Sequence, residues 1–174
     1  MVARVLVAFA SKMGSNAEIA EVIAGQLREA GLDVDVVAAR DVKDVAPYDA
    51  IVLGSALYAA HWQRDANRFV AKRRDALRDK ALWLWSSGPL DRLLAVRNLP
   101  PAANVLEIMR DVPFRAHRTF GGRLNADDPN VDAQILSTHQ VGDFRDWSAV
   151  RAYAQEIGRE VTGLDAGRAA RANN

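Results

Sequence analysis

The residues best suited to chemistry sit just past the first apolar run of the chain. Ser11-Lys12-Met13-Gly14-Ser15-Asn16 combines hydroxyl and amide side chains with a lysine and a glycine that admits close backbone approach. Between a strand and a helix, such a segment offers hydroxyls and unpaired helix N–H groups to an anion, with the positive end of the helix dipole behind them. The same residue types also suit a plain capped turn. Neither G-x-x-x-x-G-K-[ST] nor G-x-G-x-x-G occurs, so the two common nucleotide-binding signatures are absent. Two further segments are rich in turn formers: Gly54-Ser55-Ala56-Leu57-Tyr58-Ala59-Ala60-His61-Trp62, which adds aromatics, and Ser86-Ser87-Gly88-Pro89-Leu90. Tyr58 and Trp62 are the candidates to stack on a flat ring, a role that competes with ordinary packing.

Other chemistry finds little support. His61, His117 and His139 are far apart with no i, i+4 pairing, which argues against a metal site. His61 falls in the second segment, where it suits either a proton relay or a solvent-facing loop. His117 is expected on the surface of a strand and His139 in a mobile loop. With no cysteine, disulfides, thiolate zinc sites, Cys-ligated clusters and Cys nucleophiles are excluded. No nucleophile-elbow motif accompanies the serines, so hydrolysis is unsupported. Lys72, Arg73, Arg74, Arg78 and Lys80 form a basic cluster broken by Asp75 and Asp79. It reads as a solvated helix face, with weak contact to an anionic membrane surface or an acidic partner as the alternative.

These segments need a frame. Arg4 to Phe9 (RVLVAF), Val34 to Val37, Ala50 to Gly54 (AIVLG) and Ala81 to Trp85 (ALWLW) are short, nearly continuous apolar runs, as expected of strands buried on both faces. Arg115 to Phe120 is a less apolar fifth strand, expected at an edge. Between them, Ile19, Ile23 and Leu27 repeat at helical spacing after a cap at Ser15 or Asn16, and Gly31 suits the stop. Phe69, Val70 and Leu77 mark a second helix capped by Asp65, and Asn104 to Arg110 a short one. Trp147, Val150, Ala154, Ile157 and Val161 mark the last, after a cap at Asp146. Arg123 to Arg145 lacks periodicity and is expected to be a functional lid or a mobile loop, with Val131, Ile135 and Leu136 forming one amphipathic turn. Strands alternating with helices predict a three-layer α/β sandwich: a five-stranded parallel sheet with helices on both faces.

The chain has 174 residues, 49% hydrophobic and 26% charged, with a net charge of +1. That fits one domain, residues 1–162, with a small, polar tail at 163–174 expected to be disordered. Near-neutral charge argues against nucleic-acid binding, and no apolar run is long enough for a membrane span. A cytoplasmic protein, monomer or homodimer, is the expectation.

In a doubly wound sheet the three candidate segments would converge at the carboxyl ends of the strands. A phosphate site beside loops bearing aromatics and backbone donors suits a flat heteroaromatic ring with a phosphate tail, which describes FMN. Ser11-Lys12-Met13-Gly14-Ser15 resembles the S/T-x-x-G-S/T phosphate loop of flavodoxins. Gly54 to Tyr58 with His61-Trp62, Ser87-Gly88-Pro89-Leu90, Phe120 to Leu124 and Gly142 to Trp147 resemble the flavodoxin-domain family that includes menaquinone-dependent protoporphyrinogen oxidases. The resemblance implies a flavodoxin-like fold with FMN as cofactor. It implies Ser11, Lys12, Met13, Gly14, Ser15 and Asn16 around the FMN phosphate, Ser55, Ala56, Leu57 and Tyr58 on one side of the ring, and Ser87, Gly88, Pro89 and Leu90 on the other. Trp62 joins Tyr58 as a stacking candidate. Three roles follow: an FMN-dependent oxidoreductase acting on a quinone or porphyrin-type molecule, an electron carrier serving a redox partner protein, or a flavin-free interaction domain.

Overall fold

The computed structural model describes residues 2–12, 14–88, 90–95 and 97–172. Five parallel strands form the central sheet in the order β2-β1-β3-β5-β6: β1 (Arg4–Ala10), β2 (Asp33–Ala38), β3 (Ala50–Tyr58), β5 (Ala81–Ser87) and β6 (Ala116–Phe120). A sixth, β4 (His61–Trp62), pairs antiparallel with the end of β3. The less apolar fifth strand of the parallel set lies at the edge, as its composition predicts. A separate antiparallel pair, β7 (Arg123–Leu124) and β8 (Gly142–Asp143), brackets the aperiodic stretch.

The apolar runs of β1, β3 and β5 are buried on both faces because helices cover both, while β2 at the edge stays partly exposed. On one side α1 (Ser15–Glu29) and α6 (Trp147–Ala172) pack Ile19, Ile23, Leu27, Val150 and Ile157 against Val5, Val7, Trp83 and Trp85. On the other, α2 (Arg64–Arg78) and α4 (Ala103–Ile108) pack Phe69, Val70, Leu77 and Val105 against Leu6, Ile51, Leu53 and Leu84. Two shorter helices, α3 (Arg92–Ala95) and α5 (Ala133–Thr138), lie in connections. Register puts Phe9 beside Gly54 and Gly54 beside Trp85, and a Cβ at Gly54 would come within 1.8 Å of the Trp85 indole. A side chain there would therefore displace the buried tryptophan. Tyr153 of α6 donates its hydroxyl to the Leu84 carbonyl at 2.9 Å, tying the helix to the sheet.

Local expectations are corrected in three places. The N-cap of α1 is Gly14, in left-handed backbone at φ 77°, rather than Ser15 or Asn16; both of those sit inside the first turn. The N-cap of α2 is Gln63, with Asp65 in the first turn instead. The last helix starts where Asp146 accepts the Ala149 N–H at 3.1 Å, but runs to Ala172 through the segment expected to be disordered. Alanine and arginine are strong helix formers, and extending an existing helix avoids the cost of nucleation.

Candidate functional site

The carboxyl ends of β1, β3 and β5 lie side by side, with Ala10 beside Ser55 and Ala56 beside Ser87. Chain exits there open a cleft of about 320 Å³, within the range of small-molecule sites. One wall is Ala56, Leu57, Tyr58 and Ala59; the opposite one is Ser87, Gly88 and Leu90. Ser15 closes the inner end, and Gly122, Arg123, Leu124, Ile135 and His139 form the outer side. Gly88 permits the walls to approach, since a Cβ there would stand 2.9 Å from that of Leu57. A larger groove of about 460 Å³ lies over α2, remote from the strand ends.

At the inner end the left-handed Gly14 swings the chain from β1 into α1. Among the described residues, the Gly14 and Ser15 N–H groups meet no hydrogen-bond acceptor, while Asn16 N–H reaches Ser11 Oγ only at 3.4 Å. Unpaired first-turn N–H groups with hydroxyls nearby attract an anion. Asn16 itself is a brace. Fully buried, it donates Nδ2–H to the Ala10 carbonyl at 2.9 Å and accepts the Ser87 hydroxyl at 2.5 Å. Lys12 is exposed, its Nζ 5.9 Å from the Tyr58 ring centroid. Tyr58 is half-buried, and burial, reinforced by the Asp128 carboxylate, raises its phenol above the ordinary value.

Of the residues expected to hold a ligand, Ser15, Ala56, Leu57, Tyr58, Ser87, Gly88 and Leu90 line the cleft. Ser11 and Gly14 lie in the turn that leads into α1 beside Ser15. Met13 and Pro89 lie outside the described residues. Two expectations are corrected. Ser55 is fully buried, its Oγ accepting the Gln63 N–H at 2.9 Å to fix the start of α2. Trp62 does not face the cleft: it is 3% exposed, packs in the core beneath α2, and donates Nε1–H to Ser86 Oγ at 2.8 Å. The reason is the turn before it, where Ala59 and Ala60 both take positive φ and fold His61-Trp62 back along β3.

The histidines separate. His61 is exposed and contacts the Ala59 carbonyl. His117 is not a surface group: it lies 2.9 Å from Ser86 Oγ, and burial pushes it down to about 4. His139 lines the cleft at the end of α5. Among the described residues no three His, Asp or Glu side chains gather as a metal site.

An ion network absent from the sequence reading holds the outer side. Arg145, its side chain 2% exposed, grips Asp143 through two hydrogen bonds of 2.8 and 2.6 Å, Glu18 at 2.6 Å and the Ser15 carbonyl at 3.1 Å. Arg123 adds a 2.8 Å bond to Glu18. Burial alone would raise the Glu18 carboxyl, but the bonds from Arg145 and Arg123 outweigh it and hold it low. Asp143 is held low chiefly by the bond from Arg145. The network clamps β8 and β7 to the first turn of α1, so the outer rim is fixed to the Gly14–Ser15 end of the cleft.

A three-layer sandwich of this strand order, with its cleft at the carboxyl ends and a left-handed glycine opening the first helix, defines a doubly wound α/β ligand-binding domain. The Flavodoxin domain family matches residues 6–131, and the chain belongs to it. A flavodoxin from the domain Archaea superposes with a TM-score of 0.63 at 16% identity, over 91% of this chain and 99% of that one. A Streptococcus pneumonia flavodoxin gives 0.60 at 18% identity over 91% and 99%. The flavodiiron core of Flv1 from Synechocystis gives 0.64 at 14% identity, over 94% of this chain but 37% of that one. At such identities the structural likeness establishes the fold. No curated protein matches the sequence.

Proposed function

We propose that the protein binds FMN in this cleft and serves electron transfer. The observation that carries this is the left-handed Gly14 turn, whose Gly14 and Ser15 N–H groups are unpaired among the described residues, at one end of a cleft walled by Tyr58 and Leu90. The donor set fits the group: hydroxyls and amides where a phosphate belongs, apolar and aromatic walls where a flat ring belongs. Gly14, Ser15 and Ser11 would hold the phosphate, while Ala56 to Tyr58 and Ser87 to Leu90 would bound the ring. Bound flavin supplies one- and two-electron redox chemistry that no side chain here can. The residues' part is to position it. Tyr58 is a phenol neutral at physiological pH, and burial raises its pKa further above the ordinary value, so it presents an uncharged aromatic face. Leu57 and Leu90 exclude water from the cleft interior, and Lys12 adds positive charge at the mouth.

The test is a titration of the chain with FMN followed by quenching of flavin fluorescence, with riboflavin alongside. FMN should bind at least about tenfold more tightly than riboflavin, a difference of about 1.4 kcal/mol for the phosphate contacts. No binding, or equal binding of the two, ends the reading. A narrower role as a quinone-coupled oxidase of the protoporphyrinogen oxidase kind draws on the apolar outer side, where Leu124 and Ile135 leave a second flat molecule an apolar surface. Anaerobic reduction followed by addition of menaquinone separates it from a carrier: the oxidase reoxidises with the quinone, whereas the carrier needs a protein partner.

A further inference from the structure

The basic cluster of α2 divides in the structure into cations that are engaged and cations that are not. Arg73 donates to the Val42 and Lys43 carbonyls, Arg74 to those of Arg110 and Ile108, Arg78 to Asp111 and Asp75, and Lys80 to Ala46 and Tyr48. These four hold the second layer together. Arg64, Arg68 and Lys72 are all exposed, and among the described residues none meets a carboxylate. Their spacing of four places them in one stripe about 12 Å long on a helix.

Nothing in folding favours that stripe. Like charges at i, i+4 repel by about 0.2–0.5 kcal/mol per pair. Arg64 is the first residue of α2, where a cation opposes the helix dipole. The helix carries six basic and two acidic residues, a net +4 in a chain of +1, which leaves −3 for everything else. A local rule broken without structural compensation marks a functional surface. Along the chain the stripe starts two residues after the β3–β4 hairpin, whose Tyr58 and Ala59 form one wall of the cleft.

We infer that the Arg64–Arg68–Lys72 stripe is the docking surface for an acidic face of a partner protein. Charge complementarity chooses the occupant. A membrane-binding helix would show apolar residues beside its cations, but Phe69, Val70 and Leu77 are all buried under the sheet-facing side. A nucleic-acid site would add aromatic platforms and a broader basic field, and α2 exposes no aromatic. The stripe stands without the cofactor; that its occupant exchanges electrons rests on the FMN reading.

The probe is a fluorescein-labelled Glu-rich peptide, with binding read by anisotropy and mapped by amide chemical shifts in the full chain. Binding should weaken as salt rises, and the shifts should concentrate on residues 64–72. Arg68→Glu/Lys72→Glu should weaken it by about tenfold or more, while Arg151→Glu/Arg159→Glu on exposed α6, with the same charge change, should leave it within about twofold. Arg68→Ala/Lys72→Ala provides a milder version if charge reversal impairs folding. Equal loss in both pairs, no loss in either, or tighter binding to phosphatidylglycerol vesicles or to a single-stranded oligonucleotide overturns the inference. FMN titration of Arg68→Glu/Lys72→Glu should match the unaltered chain, so failure of the docking surface and failure of the cofactor reading give different results.

Discussion

Acidification should unfold this protein through one histidine before its carboxylates contribute. His117 sits on β6 with Nε2 2.9 Å from Ser86 Oγ, which already accepts Trp62 Nε1–H and so has its own hydrogen to give; Nδ1 is buried with no partner among the described residues. A proton on Nε2 removes that acceptor and places charge where water does not solvate it, so burial lowers the group from 6.5 to about 4. Between those values the unfolded chain binds the proton and the folded chain does not, so stability falls as pH falls. The full shift corresponds to about 3 kcal/mol, and about 2 kcal/mol of it is expressed between pH 7 and about 4.5. Glu18 and Asp143, whose carboxyls are held low, lose their contribution only further down. Urea unfolding at stepped pH should show this loss in the unaltered chain and a nearly flat profile in His117→Leu over the same interval. Equal acid sensitivity in both chains would refute the reasoning, as would an imidazole titration by NMR with a midpoint near 6.

Gly14→Ala places a side chain at φ 77° and should cost about 1 kcal/mol of stability, while weakening FMN by about tenfold in the quenching titration. Ala60→Gly relieves φ 62° in the β3–β4 turn and should raise stability by up to about 1 kcal/mol in urea unfolding. Arg145→Ala removes charged hydrogen bonds to two half-exposed carboxylates and should cost about 2 kcal/mol. The same variant should also lose the stability that Glu18 and Asp143 surrender as pH falls through their lowered pKa values, so its denaturation profile below about pH 4 flattens.

The sheet was legible because β1, β3 and β5 are near-continuous apolar runs, a pattern that burial on both faces demands and that survives without any tertiary knowledge. The first helix was legible for a similar reason, through Ile19, Ile23 and Leu27. Trp62 was not, because its direction depends on two alanines adopting left-handed backbone, a conformation their residue type disfavours and only the hairpin enforces. The bracing role of Asn16 was not legible either, because its partners Ala10 and Ser87 meet it only after the strands align. The Arg145 clamp joins residues 127 positions apart, so no local pattern announces it. On α2 the opposite holds: the charges were visible, but which of them are engaged required the carbonyls of Val42, Ile108 and Arg110.

The short Ser87–Asn16 hydrogen bond has a consequence for how the cleft meets its occupant. It ties the turn after β1 to the end of β5, so the inner end of the cleft and its Ser87 wall keep a fixed spacing. A ligand reaching across them meets groups already in place, which spares affinity that a loose pocket would spend on stiffening.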